Sequence, residues 1–434
     1  MNYKSKNKLI IILLLCCIST TLPAFAYIDP NTGAMLFSLL LCSITSIFFV
    51  FNSLILKIKT RFFSKSLSTK KHDFVIYSEG NQYFCVFKPI LDEFEKRKIN
   101  LTYYTSSKND PVFSKNYNYI KSEYIGKNNT AYFKLAFLNA DICLLTTPHL
   151  DVFQLKRSKN TKHYCHIFHS ISFSMNYRLF ALDYFDSVLC DAKFQIPLIR
   201  EIEKKRKLPS KKLAVVGSTY MDYNKKRLDE IKTKPKNDKF TILIAPSWGR
   251  FSLLNKFGKS ILEDFKNTEY EIIIRPHPQS LRVDKKLIDD LITSTKNSKN
   301  ISWDFDSDNL KSLSKADILI SDFSCIMMDY AFLFNKPFLY LKTDIIFDTL
   351  DCSDLDETAW RYKILDKIGK ELKPQNGDIE NLKNIIEEMK NNPNYEKNII
   401  NASNYAWEEK GNSAKNVVDF LIETQKELND GFNI

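Results

Sequence analysis

The segment Ala316-Asp317-Ile318-Leu319-Ile320-Ser321-Asp322-Phe323-Ser324-Cys325-Ile326-Met327-Met328-Asp329-Tyr330-Ala331-Phe332-Leu333-Phe334-Asn335-Lys336-Pro337 runs from an apolar strand through a polar turn into an amphipathic helix. A second apolar run, 337–341, follows the helix. Two parallel strands need a crossover of about this length, so the segment reads as a βαβ unit. The turn leaves free backbone N–H groups and the positive end of a helix dipole at the strand's C-terminal edge, where a phosphate can sit. Ser321 and Ser324 add hydroxyl donors, Cys325 and Asp329 lie on the same turn and helix, and Asp322 reads as an N-cap. Ordinary capping by Ser and Asp is the competing reading.

The same alternation extends outward in both directions. Strands are expected near 73–78, 100–105, 141–146, 163–168, 185–190 and 213–216, with helices between them such as 83–97 and 131–138. The charged, proline-bearing stretch 223–239 reads as a linker. Beyond it, strands are expected at 240–245, 270–275, 300–303, 316–320 and 337–341, and helices near 255–266, 280–293, 323–334, 379–391 and 397–428. The class is therefore α/β: an N-terminal domain over 72–222 on the acceptor side and a C-terminal nucleotide-donor domain over 240–428, facing each other across a cleft. Open parallel sheets bind ligands outside the C-terminal ends of their strands, and a nucleotide-linked donor suits such a cleft. Fold alone does not choose the reaction, because glycosyltransferases and sugar-nucleotide epimerases share this architecture.

Three further segments reach that cleft. In Glu271-Ile272-Ile273-Ile274-Arg275-Pro276-His277-Pro278 an apolar strand ends on two polar side chains stiffened by prolines. Arg275 is suited to pair with a diphosphate, and His277 to donate a hydrogen bond to it or to act as acid for the leaving nucleotide. In His163-Tyr164-Cys165-His166-Ile167-Phe168-His169 the histidines recur every third residue, but on a strand His166 points away from the other two, which disfavours a metal site. His169 falls at the strand's C-terminal end and is the candidate general base; a buried structural histidine is the alternative. Ser247-Trp248-Gly249, after the first strand of the second unit, either contacts the base of a donor or forms only a turn.

The sequence has 434 residues and a formal charge of +12, yet residues 1–71 alone hold nine Lys or Arg against the single acid Asp29. The charge thus concentrates at one end, and nucleic acid is not expected as a partner. Lys4, Lys6 and Lys8, the apolar run Leu9 to Ile18 and Ala24-Phe25-Ala26 have the layout of a signal peptide over 1–26 or of a first membrane helix. Ala34 to Leu56 is free of charge and, as a helix, about 34 Å long, enough to span a bilayer. The basic stretch 57–71 then keeps the remainder on the cytoplasmic side of the inner membrane. Nine cysteines, none in a CxxC pair, fit a reducing compartment.

Over residues 139–345 the chain resembles the CDP-glycerol glycerophosphotransferases, the teichoic-acid polymerases and primases. The resemblance rests on Arg275-Pro276-His277-Pro278, on Ser321-Asp322-Phe323-Ser324 followed by Asp329-Tyr330-Ala331-Phe332-Leu333 and Lys336-Pro337-Phe338, and on the strand-terminal His169. It implies a GT-B-like fold of two Rossmann-like domains, His169 and His277 as essential histidines, and Ser324 in the loop that binds donor phosphate. The chain departs from the family in placing Ser170 to Met175 where Gly and then Lys usually follow the first histidine, and in having Cys325 for a serine.

The expected function is transfer of an alditol phosphate from CDP-glycerol or another CDP-alditol to a hydroxyl of a lipid-linked glycan or polymer. CMP is released, and no metal or other cofactor is required by the sequence. A GT-B glycosyltransferase using a nucleotide sugar, and a non-catalytic membrane scaffold, are the alternatives. The sequence leaves the oligomeric state open.

Overall fold

The computed structural model describes residues 42–47 and 70–431, apart from 172–176, 231–238, 267, 307, 343–346 and 356–359. The chain divides into two compact units, Met1–Ser66 and Leu67–Ile434. In the first, 42–47 is helical; the remainder of the expected span 34–56, the signal-like segment 1–26 and the basic stretch up to residue 69 lie outside the described residues. Among the described residues, no helix is long and apolar enough to cross a membrane.

The second unit contains two wholly parallel sheets. The first has seven strands in the order β3-β2-β1-β4-β5-β6-β7, with β2 at Leu101–Thr105, β6 at Ser187–Cys190 and β7 at Lys212–Val215, and the second six in the order β10-β9-β8-β11-β12-β13. Strands β1 (His72–Ser78), β4 (Ala140–Leu145) and β5 (Thr161–Ile167) form the centre of the first sheet, and their side chains are buried on both faces. That explains their near-continuous apolar runs, since a parallel sheet is covered by helices on both sides. In the second sheet β8 (Thr241–Ile244) and β11 (Ile318–Ser321) are adjacent, pairing Ile318 with Ile242 and Ile320 with Ile244. The strand order reverses at this pair, so the loops after β8 and β11 frame the second sheet's crevice.

β9 (Glu271–Ile274) lies beside β8, and β12 (Phe338–Tyr340) beside β11. Three more strands are short or polar edge strands, of which the sequence pattern gives only the one at 300–303. β3 (Ile120–Tyr124) is an edge strand with alternating exposure, and β13 (Gly369–Glu371) and β10 (Ile301–Trp303) are three-residue edges. The helices that fix the site are α1 (Phe84–Lys96), α2 (Asn129–Leu135), α3 (Gln195–Arg206) and α4 (Thr219–Glu230) in the first half of the body. In the second half they are α5 (Leu253–Phe265), α6 (Ser280–Val283), α7 (Lys285–Thr295), α8 (Leu310–Lys315) and α9 (Ile326–Phe334).

Two expectations are corrected. The stretch 223–239 is not wholly a linker: residues up to 230 continue α4, which buries Tyr220, Met221 and Asn224 and turns its charges outward. The C-terminal 397–428 is not one helix but α12 (Pro393–Ala406) and α13 (Ser413–Asn429), following α10 (Trp360–Ile368) and α11 (Leu382–Asn391). The chain breaks where Glu409 and Gly411 adopt positive φ, a conformation incompatible with continuing a right-handed helix. After the break α13 packs on α1 and β4 of the first sheet, and Arg97 pairs with Asp419 at 2.6 Å. Its apolar residues Val417, Val418, Phe420 and Leu421 join a core that runs from Phe94 of α1 to Met327 and Tyr330 of α9, so this core spans both halves.

Candidate active site

The loop after β8 and the turn after β11 are tied together by one carboxylate. Asp322, 1% exposed, accepts from the Ser247 N–H at 2.9 Å, the Ser247 hydroxyl at 3.0 Å and the Leu253 N–H at 2.8 Å. Burial pushes its carboxyl above the usual carboxylate range, and these donors oppose the shift. Ser321 donates to the Ala245 carbonyl at 2.6 Å, again between the two strand ends. Ser321 and Ser247 are therefore bound into the scaffold, with hydroxyls directed at protein groups in place of the donor contacts expected of them.

What remains open in the cleft is the outer side of the turn. Ser324 and Cys325 are partly exposed just ahead of α9, and the Ser324 hydroxyl accepts weakly from the Ile326 N–H at 3.5 Å. Trp248 is 41% exposed, and its ring centroid lies 6.3 Å from that of His277. Gly249 carries φ 85°, and its N–H donates to Asp284 at 3.1 Å, so a left-handed residue turns the chain just past the tryptophan.

His277, after β9, accepts the Gln279 N–H on Nδ1 at 3.1 Å. In the neutral ring the proton then sits on Nε2. Burial lowers the His277 pKa to about 4, so the side chain is neutral near pH 7 and acts as a hydrogen-bond donor. Arg275 behaves otherwise than expected. Its guanidinium pairs with Asp304 at 2.6 Å and donates to the Asp306 carbonyl at 2.5 Å, bracing the loop after β10. Asp329 also lies away from a donor: 4% exposed, it accepts from the Tyr220 hydroxyl of α4 at 2.8 Å, and burial raises its pKa to about 7. The pattern misplaces Asp329 because one helix turn beyond the phosphate-facing end already points into the core between α4 and α9.

The first half contributes His169, two residues past β5 and partly exposed. Burial, with a smaller contribution from His277, lowers its pKa to about 4. The Tyr83 ring meets His169 edge-on at 5.2 Å, and the Tyr177 hydroxyl lies 3.4 Å from His169 Nδ1. The Tyr177 ring also packs against those of Phe168 and His166. The other two histidines of the segment, both in β5, face elsewhere: His163 bonds the Ser187 hydroxyl at 2.9 Å, and His166 is enclosed by the rings of Phe168, Tyr177 and Phe185. Among the described residues no group of three or more candidate metal ligands comes together.

Sequence reasoning did not find Tyr83 or Tyr177. Neither lies in a recognisable motif, and Tyr177 is eight positions from His169 across residues 172–176, which lie outside the described residues.

Residues 216–423 match the model of a family described as CDP-Glycerol:Poly(glycerophosphate) glycerophosphotransferase. The match includes Trp248, His277 and the turn at 321–325, whereas His169 lies ahead of it. No curated protein matches the chain. Among solved structures, the wall teichoic acid polymerase TagF superposes with a TM-score of 0.54 at 17% identity, covering 82% of this chain and 90% of that one. The UDP-GlcNAc 2-epimerase from Neisseria meningitidis gives 0.52 at 17% identity, covering 82% and 100%. At such identities the structures establish the fold, a GT-B-like pair of parallel α/β sheets. The family match points to the chemistry: residues 216–423, just under half of the chain, are similar to the CDP-glycerol glycerophosphotransferases.

Proposed function

We propose that this protein moves glycerol phosphate from CDP-glycerol to a hydroxyl of a membrane-linked, teichoic-acid-like acceptor, releasing CMP. What supports the reading is that His169 stands just past the end of β5 with Tyr83 and Tyr177 against it, that His277 stands just past the end of β9 beside the exposed Trp248, and that the family match takes in His277 and the Ser324–Cys325 turn. A base and a phosphate cradle are the two parts that such a transfer needs.

In this mechanism the donor diphosphate lies against the N–H groups ahead of α9 and the Nε2–H of His277. These donors face the charge that develops on the diphosphate as the phosphorus–oxygen bond to CMP breaks. Trp248, exposed beside His277, offers a ring face to the cytosine. His169 takes the proton of the acceptor hydroxyl as its oxygen attacks the β-phosphorus, and CMP departs as an anion that needs no proton from a cationic histidine. Arg275 acts indirectly, by holding the 304–306 loop.

Attachment by 34–56 to the inner membrane, with the body on the cytoplasmic side, belongs to the same proposal and places the cleft where both a soluble nucleotide donor and a lipid-linked acceptor are within reach. The test is release of labelled CMP from CDP-glycerol by the full-length protein with membrane acceptor fractions. Turnover with CDP-glycerol but not with UDP- or GDP-sugars supports the reading. Sugar transfer from a nucleotide sugar would replace it with a glycosyltransferase, and absence of binding to any nucleotide would leave a scaffold.

A further inference from the structure

The loop that carries Tyr177 belongs to the first half, but it is held by the second. Residues 347–355, which lie between β12 and α10, run alongside it. Leu179 N–H donates to the Thr349 carbonyl at 3.0 Å, Asp351 N–H donates to the Tyr177 carbonyl at 2.9 Å, and Arg178 and Leu350 form an antiparallel bridge. The Asp351 carboxylate accepts from the N–H groups of Phe180 at 2.7 Å and Ala181 at 3.2 Å. Arg206, at the end of α3, pairs with Asp351 at 2.8 Å and Asp183 at 2.7 Å, so the strap is anchored by a largely buried cation. Phe180 adopts φ 70°, unfavourable for a bulky side chain, and Asp351 satisfies the N–H exposed by that conformation.

The Tyr177 ring is equally constrained. It stacks on Phe168 at 6.2 Å with an interplanar angle of 8° and meets the edge of His166 at 5.8 Å. These contacts leave its hydroxyl beside His169 Nδ1, and among the described residues His169 Nε2 has no hydrogen-bond partner. Burial and the charges of Tyr83 and Cys325 push the Tyr177 phenol well above its ordinary pKa, so its oxygen stays neutral.

We propose that Tyr177 is the positioning residue of His169: its hydroxyl oxygen accepts the Nδ1 proton, leaving the Nε2 lone pair toward the cleft, and the 347–355 strap of the donor half holds it there. When Nε2 takes the acceptor's proton, Nδ1–H is retained, and the imidazolium is stabilised by the tyrosine oxygen. The base thus acquires its working tautomer only when the strap from the other half is docked. The part of this inference that concerns turnover rests on the phosphotransfer reading; the tautomer does not.

The experiment is long-range proton–nitrogen NMR of the full-length protein with labelled histidines, of which there are six, combined with steady-state kinetics. The wild type should show His169 protonated at Nδ1, and Tyr177→Phe, which keeps the stacked ring, should shift it to a mixture. The same variant should lower kcat by about tenfold to a hundredfold with KM for CDP-glycerol within about twofold. Asp351→Asn should do so to a smaller extent. An Nε2-protonated His169 in the wild type, or a tautomer unchanged in Tyr177→Phe, overturns the proposal. The expected tautomers in a protein that does not turn over CDP-glycerol would retain the positioning contact and remove the phosphotransfer reading instead.

Discussion

Asp322 and Ser247 are joined twice, through the N–H and the hydroxyl of the serine, although 75 residues separate them. Because β8 and β11 are neighbours, this pair closes the C-terminal edge of the second sheet into one rigid rim. Leu253 N–H, at the start of α5, is the third donor to the same carboxylate. The rim is what keeps Trp248 and the Ser324–Cys325 turn on the same side of the crevice.

Asp322→Ala should therefore damage stability and binding together. It strands the Ser247 and Leu253 donors in a buried site, at a cost of about 2–4 kcal/mol. Urea midpoints and CMP titration would measure the two effects. A stable variant with unchanged CMP affinity would contradict the rim's role.

His169→Ala and His277→Ala should each reduce turnover by about a hundredfold or more while the circular dichroism spectrum is retained. Their side chains are partly exposed on the cleft, so truncation leaves the core intact. His277→Ala should also weaken CMP binding, and His169→Ala should not. Near-normal turnover in both would remove the mechanism.

Burial lowers the His166 pKa to about 3, and neither ring nitrogen has a partner among the described residues. The folded state therefore binds fewer protons than the unfolded one between pH 6.5 and about 3, so the contribution of His166 is lost as pH falls through that window. Between wild type and His166→Phe, the difference in unfolding free energy should change by about 1.4 kcal/mol per pH unit there. Parallel stability–pH curves for the two proteins would show that His166 is not buried as a neutral ring.

Asp329→Asn should leave turnover within about threefold of wild type, because the carboxylate meets Tyr220 in the core and not the donor. Its raised pKa has the opposite sign to that of His166: wild-type stability due to this group is present below pH 4 and lost as pH rises to about 7. The asparagine variant should lack that loss in denaturation curves collected from pH 4 to 8. A hundredfold fall in turnover would instead return Asp329 to the donor site.

Diphosphate binding should draw protons toward the cleft. Both histidines have pKa values near 4 in the free protein, and an adjacent anion raises them. Calorimetry of CMP binding near pH 5 in buffers of different ionisation enthalpy should detect net proton uptake, and buffer-independent heats would count against a phosphate beside His277.

Much of this architecture was legible because it depends on local periodicity. The long buried strands of both sheets, the crossover helix after Ser324 and the strand ends carrying His169 and His277 follow from apolar runs and their polar stops. The edge strands β3, β10 and β13 were harder, since three to five residues with one exposed face resemble loops; only 300–303 was expected among them. The charged face of α4 resembled a linker because its buried side holds only a few residues in a strongly basic sequence.

The sequence by itself determined two parallel α/β units, the positions of the two cleft histidines and the polar turn before α9, because strand ends and helix starts are written in neighbouring residues. Only the tertiary structure decided which polar side chains are free for chemistry. Ser321, Ser247, Arg275 and Asp329 carry suitable groups, but Ala245, Asp322, Asp304 and Tyr220 occupy them. Tyr177 carries no motif at all, yet a strap from residues 347–355 brings it to His169. The physical reason is that a hydrogen bond depends on positions in space a few ångströms apart, and the partners that decide each of these side chains lie on neighbouring strands, across the core or in the other half of the molecule.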